Sequence, residues 1–135
     1  MIGLLVVAHG RLGESLIDCA TYVLGKRPEH LLSLDLSSES DPERLLARAR
    51  EQIAQLDEGD GVLVLTDIYG ATPCNTVCRL VSPGRVEAVA GASVPMLLKA
   101  ITYRREPLAQ LADRVVLGAR EGAFHIHTET ADAGT

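Results

Sequence analysis

Ile2-Gly3-Leu4-Leu5-Val6-Val7-Ala8 and Val62-Leu63-Val64-Leu65-Thr66 are apolar at nearly every position, with no polar residue on alternate sites. Successive side chains of a strand point to opposite faces. A strand apolar throughout must therefore be covered on both faces, which is the condition of a central strand in a parallel sheet. Elsewhere the period changes. Leu12, Leu16, Ala20, Val23 and Leu24 fall at helical spacing, and Gly25 with Pro28 behind it closes that helix. Leu31-Leu32-Ser33-Leu34-Asp35-Leu36 reads as a strand. Ser40-Asp41-Pro42-Glu43 has the spacing of a capping box, with proline in the first turn. The next helix turns Leu45, Leu46, Ala49, Ile53 and Leu56 to one side, and Arg44, Arg48, Arg50 and Glu51 form its solvated face.

Gly59-Asp60-Gly61 turns the chain into the second apolar strand. Thr72-Pro73 then reads as a helix start, with Thr72 as cap and Pro73 at the first helical position, running to about Val81. Arg85 to Ala90 is a strand, and Gly91 a turn. A short helix runs from Pro95 to about Tyr103, and Leu108, Leu111, Ala112, Val115, Val116 and Ala119 mark a last one. An alternating piece, Ala123 to Thr128, reads as one more strand. The expectation is an α/β fold: an open, mainly parallel sheet with helices on both faces and right-handed crossovers. One domain is expected over residues 1–130, with a frayed tail at 131–135.

Composition narrows the function. The 135 residues carry 13 Lys+Arg against 18 Asp+Glu, a net charge of −5, and basic residues are not gathered with aromatics, so nucleic acid is not the expected partner. The first apolar run meets His9 at once, lacks a basic start, and does not read as a signal peptide. Nor does any apolar run reach membrane-spanning length, so no membrane insertion is expected. Three cysteines suit free thiols in a reducing compartment, and Cys74 and Cys78, one helical turn apart, read as buried structural thiols. A cytoplasmic protein is expected.

In an open α/β sheet the binding crevice lies at the carboxyl ends of the strands, where strand order reverses. His9 follows the first strand directly, and Asp67 follows the Val62–Thr66 strand directly. If those strands are neighbours, the carboxylate can accept the Nδ1 proton and leave Nε2 as an outward lone pair. After Asp67 comes Ile68-Tyr69-Gly70-Ala71-Thr72-Pro73, a tight loop opening onto a helix. The backbone N–H groups of Ala71, Thr72 and Cys74, the Thr72 hydroxyl and the helix dipole there favour an anion. A nucleophilic histidine, an orienting carboxylate and an anion seat together point to phosphoryl transfer through phosphohistidine. Gly10 and Gly13 do not complete G-x-G-x-x-G, and no P-loop lysine is present. His125 and His127 share one face of the last strand, but no third ligand lies nearby in sequence, so no metal is expected.

Three blocks carry a family resemblance: Val7-Ala8-His9-Gly10, Leu65-Thr66-Asp67-Ile68-Tyr69-Gly70-Ala71-Thr72-Pro73-Cys74-Asn75, and Val89-Ala90-Gly91-Ala92-Ser93-Val94-Pro95-Met96-Leu97. Together they resemble the IIA component of the mannose family of the bacterial phosphoenolpyruvate-dependent sugar phosphotransferase system. The resemblance implies that His9 accepts a phosphoryl group from the phosphocarrier HPr and passes it to a IIB component for sugar uptake and phosphorylation. It implies that Asp67 orients the histidine and that Thr72 binds the phosphoryl group. Gly70 and Ala71 in the same loop are expected to help hold it. Gly10 and Tyr69 are expected at the partner-facing rim, where the fold places their loops, although Tyr69 also reads as a partly buried aromatic. No cofactor is implied. It also implies a homodimer in which a C-terminal strand, here Ala123 to Thr128, crosses to the partner's sheet. Tyr69 stands where the family often has tryptophan, and Ser93 where asparagine is usual. The acceptor expected is a separate IIB protein.

Other readings compete with a transport role. One is a regulatory module whose affinity for a protein partner is switched by phosphorylation of His9. Another is the IIA-like phosphotransferase subunit of a dihydroxyacetone kinase, and a third is a small-molecule binding domain without phosphorylation.

Overall fold

The computed structural model describes residues 1–68 and 70–128, and the backbone alone for residues 71–74. Tyr69 and the expected frayed tail at 131–135 lie outside the described residues. The chain alternates β1 (Gly3–Ala8), α1 (Leu12–Leu24), β2 (Leu31–Asp35), α2 (Pro42–Leu56), β3 (Val62–Thr66), α3 (Ala71–Leu80) and β4 (Val86–Ala90), then ends on α4 (Val94–Tyr103) and α5 (Leu108–Glu121). The four strands pair in parallel in the order β2-β1-β3-β4, and a single antiparallel bridge joins Ser82 to Val86 at the start of β4.

The two unalternating runs are the two central strands. Every residue of β1 and β3 is buried, whereas the edge strands β2 and β4 are only partly so. Alternate residues feed two separate cores. Leu4, Val6 and Ala8 of β1 with Leu63 and Leu65 of β3 pack against Ile17 of α1, Leu97 of α4 and Leu111 of α5. Leu5 and Val7 with Val62 and Val64 pack against Leu46 and Ala49 of α2 and Val77 and Leu80 of α3. Each fully buried Leu or Val stabilises the fold by about 1.5–3 kcal/mol relative to exposure, so both layers are needed. Gly3 is required by close approach: a Cβ there would lie 2.6 Å from both Cβ and the carbonyl oxygen of Leu56, where α2 ends against β1.

Helix starts differ from the sequence expectation by one or two residues. At α2 the cap is Asp41, not Ser40; its Oδ1 accepts the Glu43 N–H at 3.0 Å, and Pro42 takes the first helical position. Proline there needs no N–H partner, which makes the residue before it the cap. Helix α3 starts at Ala71 behind an extended Gly70 cap, so Thr72 lies inside the first turn instead of capping it. Ser93 caps α4, its hydroxyl accepting the Met96 N–H at 3.2 Å.

The expected last strand is not formed within the chain. Residues 123–127 leave α5 as irregular, exposed backbone, with Phe124 64% and Ile126 76% exposed. A short strand detached from any sheet has no stability without an edge to pair with.

Candidate functional site

The chain leaves β1 towards β2 and leaves β3 towards β4, so strand order reverses between the two central strands and their carboxyl ends flank the crevice. Val7 pairs with Thr66, which brings the residues just beyond, His9 and Asp67, to one rim. His9 Nδ1 lies 2.9 Å from Asp67 Oδ2, and the same oxygen accepts the His9 backbone N–H at 3.1 Å. The other carboxylate oxygen accepts the Ile68 N–H at 2.9 Å. A carboxylate only accepts, so in the neutral ring the proton sits on Nδ1 and the lone pair on Nε2. Asp67 is 11% exposed and the imidazole 48%, so the orienting group is sheltered while the ring reaches solvent. Burial alone would raise the Asp67 carboxyl; the hydrogen bonds from the His9 ring, the His9 N–H and the Ile68 N–H outweigh it and hold the group below its ordinary value.

Four residues beyond Asp67, α3 opens with Gly70 as cap. That start leaves the Ala71 and Thr72 N–H groups as first-turn donors, because Pro73 has none. With the cap at Gly70, the Cys74 N–H falls within the intrahelical ladder instead of among the open donors expected for it. The positive end of the helix dipole faces the same loop. Gly10, expected at the partner rim, is exposed beside His9.

A second carboxylate emerges that sequence reasoning missed. Asp35, the last residue of β2, pairs with Ala8 and accepts the Gly10 N–H at 2.8 Å. The same Oδ1 accepts the Ser37 N–H at 2.8 Å and the Ser37 hydroxyl at 2.6 Å. Those bonds, the Ser37 hydroxyl foremost, hold its carboxyl below the ordinary value. The available signal was an aspartate at the carboxyl end of a strand, the same placement that singled out Asp67.

The EIIA-man family, described as the PTS system fructose IIA component, matches residues 3–115. The chain belongs to this family. The PTS system mannose-specific EIIAB component of Escherichia coli (strain K12) is 31% identical over 124 residues, 90% of this chain. The chain spans 38% of that protein's length. The transcriptional regulatory protein LevR of Bacillus subtilis (strain 168) is 27% identical over 101 residues, 74% of this chain and 11% of LevR. Among solved structures, the mannose/sorbose specific IIA subunit of the phosphotransferase system from Enterococcus faecalis superposes with a TM-score of 0.82 at 20% identity, covering 94% of this chain and 96% of that one. The parallel sheet and its helical layers are thus the IIA fold, and members of the family are phosphotransferases.

In this IIA chain the other sequence candidates are scattered. His125 and His127 lie on the exposed segment after α5 with ring centroids 5.7 Å apart and planes tilted by 54°. Among the described residues no three His, Cys, Asp or Glu side chains gather as metal ligands, and no helix is long and apolar enough to cross a membrane. Cys78 is exposed on α3, contrary to the buried thiol expected. It lies on the side of the helix turned from the core that Val77 and Leu80 enter.

Proposed function

We propose that this IIA chain is a cytoplasmic phosphohistidine carrier that takes a phosphoryl group from HPr on Nε2 of His9 and hands it to a IIB protein for sugar uptake and phosphorylation. The observation that carries the reading is the His9 to Asp67 hydrogen bond at 2.9 Å, with the ring half exposed at the switch point of a IIA fold. The Nε2 lone pair forms a bond to phosphorus as the bond between phosphorus and the donor breaks, and the donor keeps that electron pair. Nδ1 keeps its proton, and Asp67 stabilises the positive charge that the ring gains. Gly70, Ala71 and Thr72 at the start of α3 supply the seat for the phosphoryl oxygens, and Gly10 and Tyr69 form the rim that meets HPr and IIB. No metal or cofactor enters this step. Incubating the chain with phosphoenolpyruvate, the general phosphotransferase enzyme and HPr should add one phosphoryl group by intact mass, and omitting HPr should abolish the gain. Phosphorylation independent of HPr would contradict the donor assignment.

The likeness to LevR supports a second reading, a regulatory module switched by the same phosphorylation. The two part on the acceptor: a carrier loses its phosphoryl group to a IIB protein at catalytic rate, and a regulatory module retains it while its affinity for a protein partner changes.

We also propose a homodimer in which residues 123–128 of each copy add to the β4 edge of the other. Strand β4 is the last of the sheet, and beside it Ile68, Val77, Val81 and Ala88 help line a groove of about 210 Å³. An uncovered edge presents unpaired N–H and C=O groups, and exposed Phe124 and Ile126 supply apolar side chains at alternate positions to cover it. A chain ending at Gly122 should sediment as a monomer at concentrations where the full chain is a dimer. A truncated chain as tightly dimeric as the full one, or a full chain that is monomeric at micromolar concentration, would rule the exchange out.

A further inference from the structure

We infer that Asp35 is a positioning residue for phosphoryl transfer: it ties the turn that follows the nucleophile to the end of β2 and thereby directs the His9 ring onto Asp67. The inference rests on the reading of His9 as phosphoryl acceptor. Two consecutive backbone N–H groups, those of His9 and Gly10, are held by carboxylates from two different strands, Asp67 beyond β3 and Asp35 at the end of β2. The turn they hold is not a default conformation. Gly10 has φ +60, in the left-handed region, and the turn closes with the Leu12 N–H donating to the His9 carbonyl at 3.3 Å. Glycine visits both signs of φ at little cost, so the N–H bond to Asp35 is what selects one of them.

The acceptor is itself anchored. Asp35 Oδ1 receives three donors between 2.6 and 2.8 Å, two of them from Ser37, so the oxygen cannot swing with its own side chain. The Leu36 N–H donating to the Ala8 carbonyl at 2.9 Å keeps β2 in register beside it. Three donors on one oxygen suit an ionised carboxylate, and charge-assisted bonds of this kind are about twice as strong as neutral ones. His9 is therefore fixed from both sides: its own N–H and ring by Asp67, and the peptide after it by Asp35. A duller role for Asp35, turning the chain at Ser37, would leave the ring indifferent to its loss.

The test compares Asp35→Ala, Asp35→Glu and Asp35→Asn with Ser37→Ala, which removes the hydroxyl donor and leaves the Gly10 contact. Two quantities are read on each folded protein: the His9 tautomer, from ring nitrogen shifts without phosphorylation, and the rate of HPr-dependent phosphorylation. Misplacement of a reacting group by about 1 Å costs on the order of 10² in rate. Asp35→Ala should lose about that much and shift His9 away from the Nδ1–H tautomer. Asp35→Glu keeps the charge but moves the oxygen by a methylene, and should fail in the same way. Asp35→Asn restores an oxygen acceptor at the same place and should recover most of both readouts. Ser37→Ala, which loosens the acceptor but leaves the Gly10 and Ser37 N–H bonds, should lose far less than Asp35→Ala. A folded Asp35→Ala or Asp35→Glu protein with the parent tautomer and rate overturns the inference. A parent chain that HPr does not phosphorylate overturns the functional reading, and the tautomer measurement still decides whether Asp35 directs the ring.

Discussion

Asp67→Asn is expected to slow phosphorylation of His9 by a factor on the order of 10⁴, the cost of neutralising the carboxylate behind a catalytic histidine in the serine-protease triad. An asparagine can turn its NH₂ towards Nδ1 and donate to it. That hydrogen bond moves the imidazole proton to Nε2, where the nucleophilic lone pair has to be. It also withdraws the negative charge that supports the ring as it becomes positive. The fold should survive, because the amide oxygen can still accept one of the backbone N–H groups of His9 and Ile68. Quenched-flow phosphorylation by HPr measures the effect. An unchanged rate in folded Asp67→Asn would reduce Asp67 to a cap on the turn at Ile68.

The largest expected loss of stability lies at the other end of the sheet. Arg104, 5% exposed just after α4, donates from Nε and Nη2 to the Ile2 carbonyl at 2.9 and 2.8 Å. It also donates from Nη1 to the Glu29 carbonyl at 2.6 Å and from Nη2 to the His30 carbonyl at 2.7 Å. Its own carbonyl accepts the Ile2 N–H at 3.0 Å. One guanidinium thus joins the entry to β1, the loop before β2 and the end of α4. Leaving a buried carbonyl without its donor costs about 1–3 kcal/mol. The Ile2 carbonyl is buried and the Glu29 and His30 carbonyls only partly so. Arg104→Ala should therefore lower unfolding free energy by about 2–3 kcal/mol, a large part of the stability of an ordinary domain. Arg104→Met should recover only packing. Urea unfolding measures both, and the phosphorylation rate of the folded variants should match the parent. A loss under about 1 kcal/mol would mean that water replaces the guanidinium without difficulty.

What was legible in the sequence, and what was not, follows from the range of the interactions. The burial of β1 and β3 on both faces was readable because each strand carries the signal in its own residues, and α1 closes at Gly25 as its spacing implied. Caps are set by competition among adjacent residues: Asp41 prevails over Ser40 because Pro42 follows it, and Gly70 opens α3 ahead of Thr72. His9 and Asp67 were found because each directly follows an apolar strand, but their meeting required β1 and β3 to be neighbours. Asp35 was read as part of its strand, since its partner Gly10 is 25 residues away and bonds through the backbone. Arg104 gave no signal, because its partners are carbonyl groups, which every residue has. The alternation in residues 123–128 is visible, but a strand needs an edge, and sequence does not say which chain supplies it.

The central claim is tested most directly by locating the phosphoryl group. After incubation with phosphoenolpyruvate, the general phosphotransferase enzyme and HPr, peptide mass mapping under alkaline conditions should place a single acid-labile phosphoryl group on His9. Phosphorus–nitrogen couplings in the intact protein should assign it to Nε2, and His9→Ala should carry none. A phosphoryl group that maps to His30, His125 or His127, that persists in His9→Ala, or that sits on Nδ1 of His9, would contradict the account.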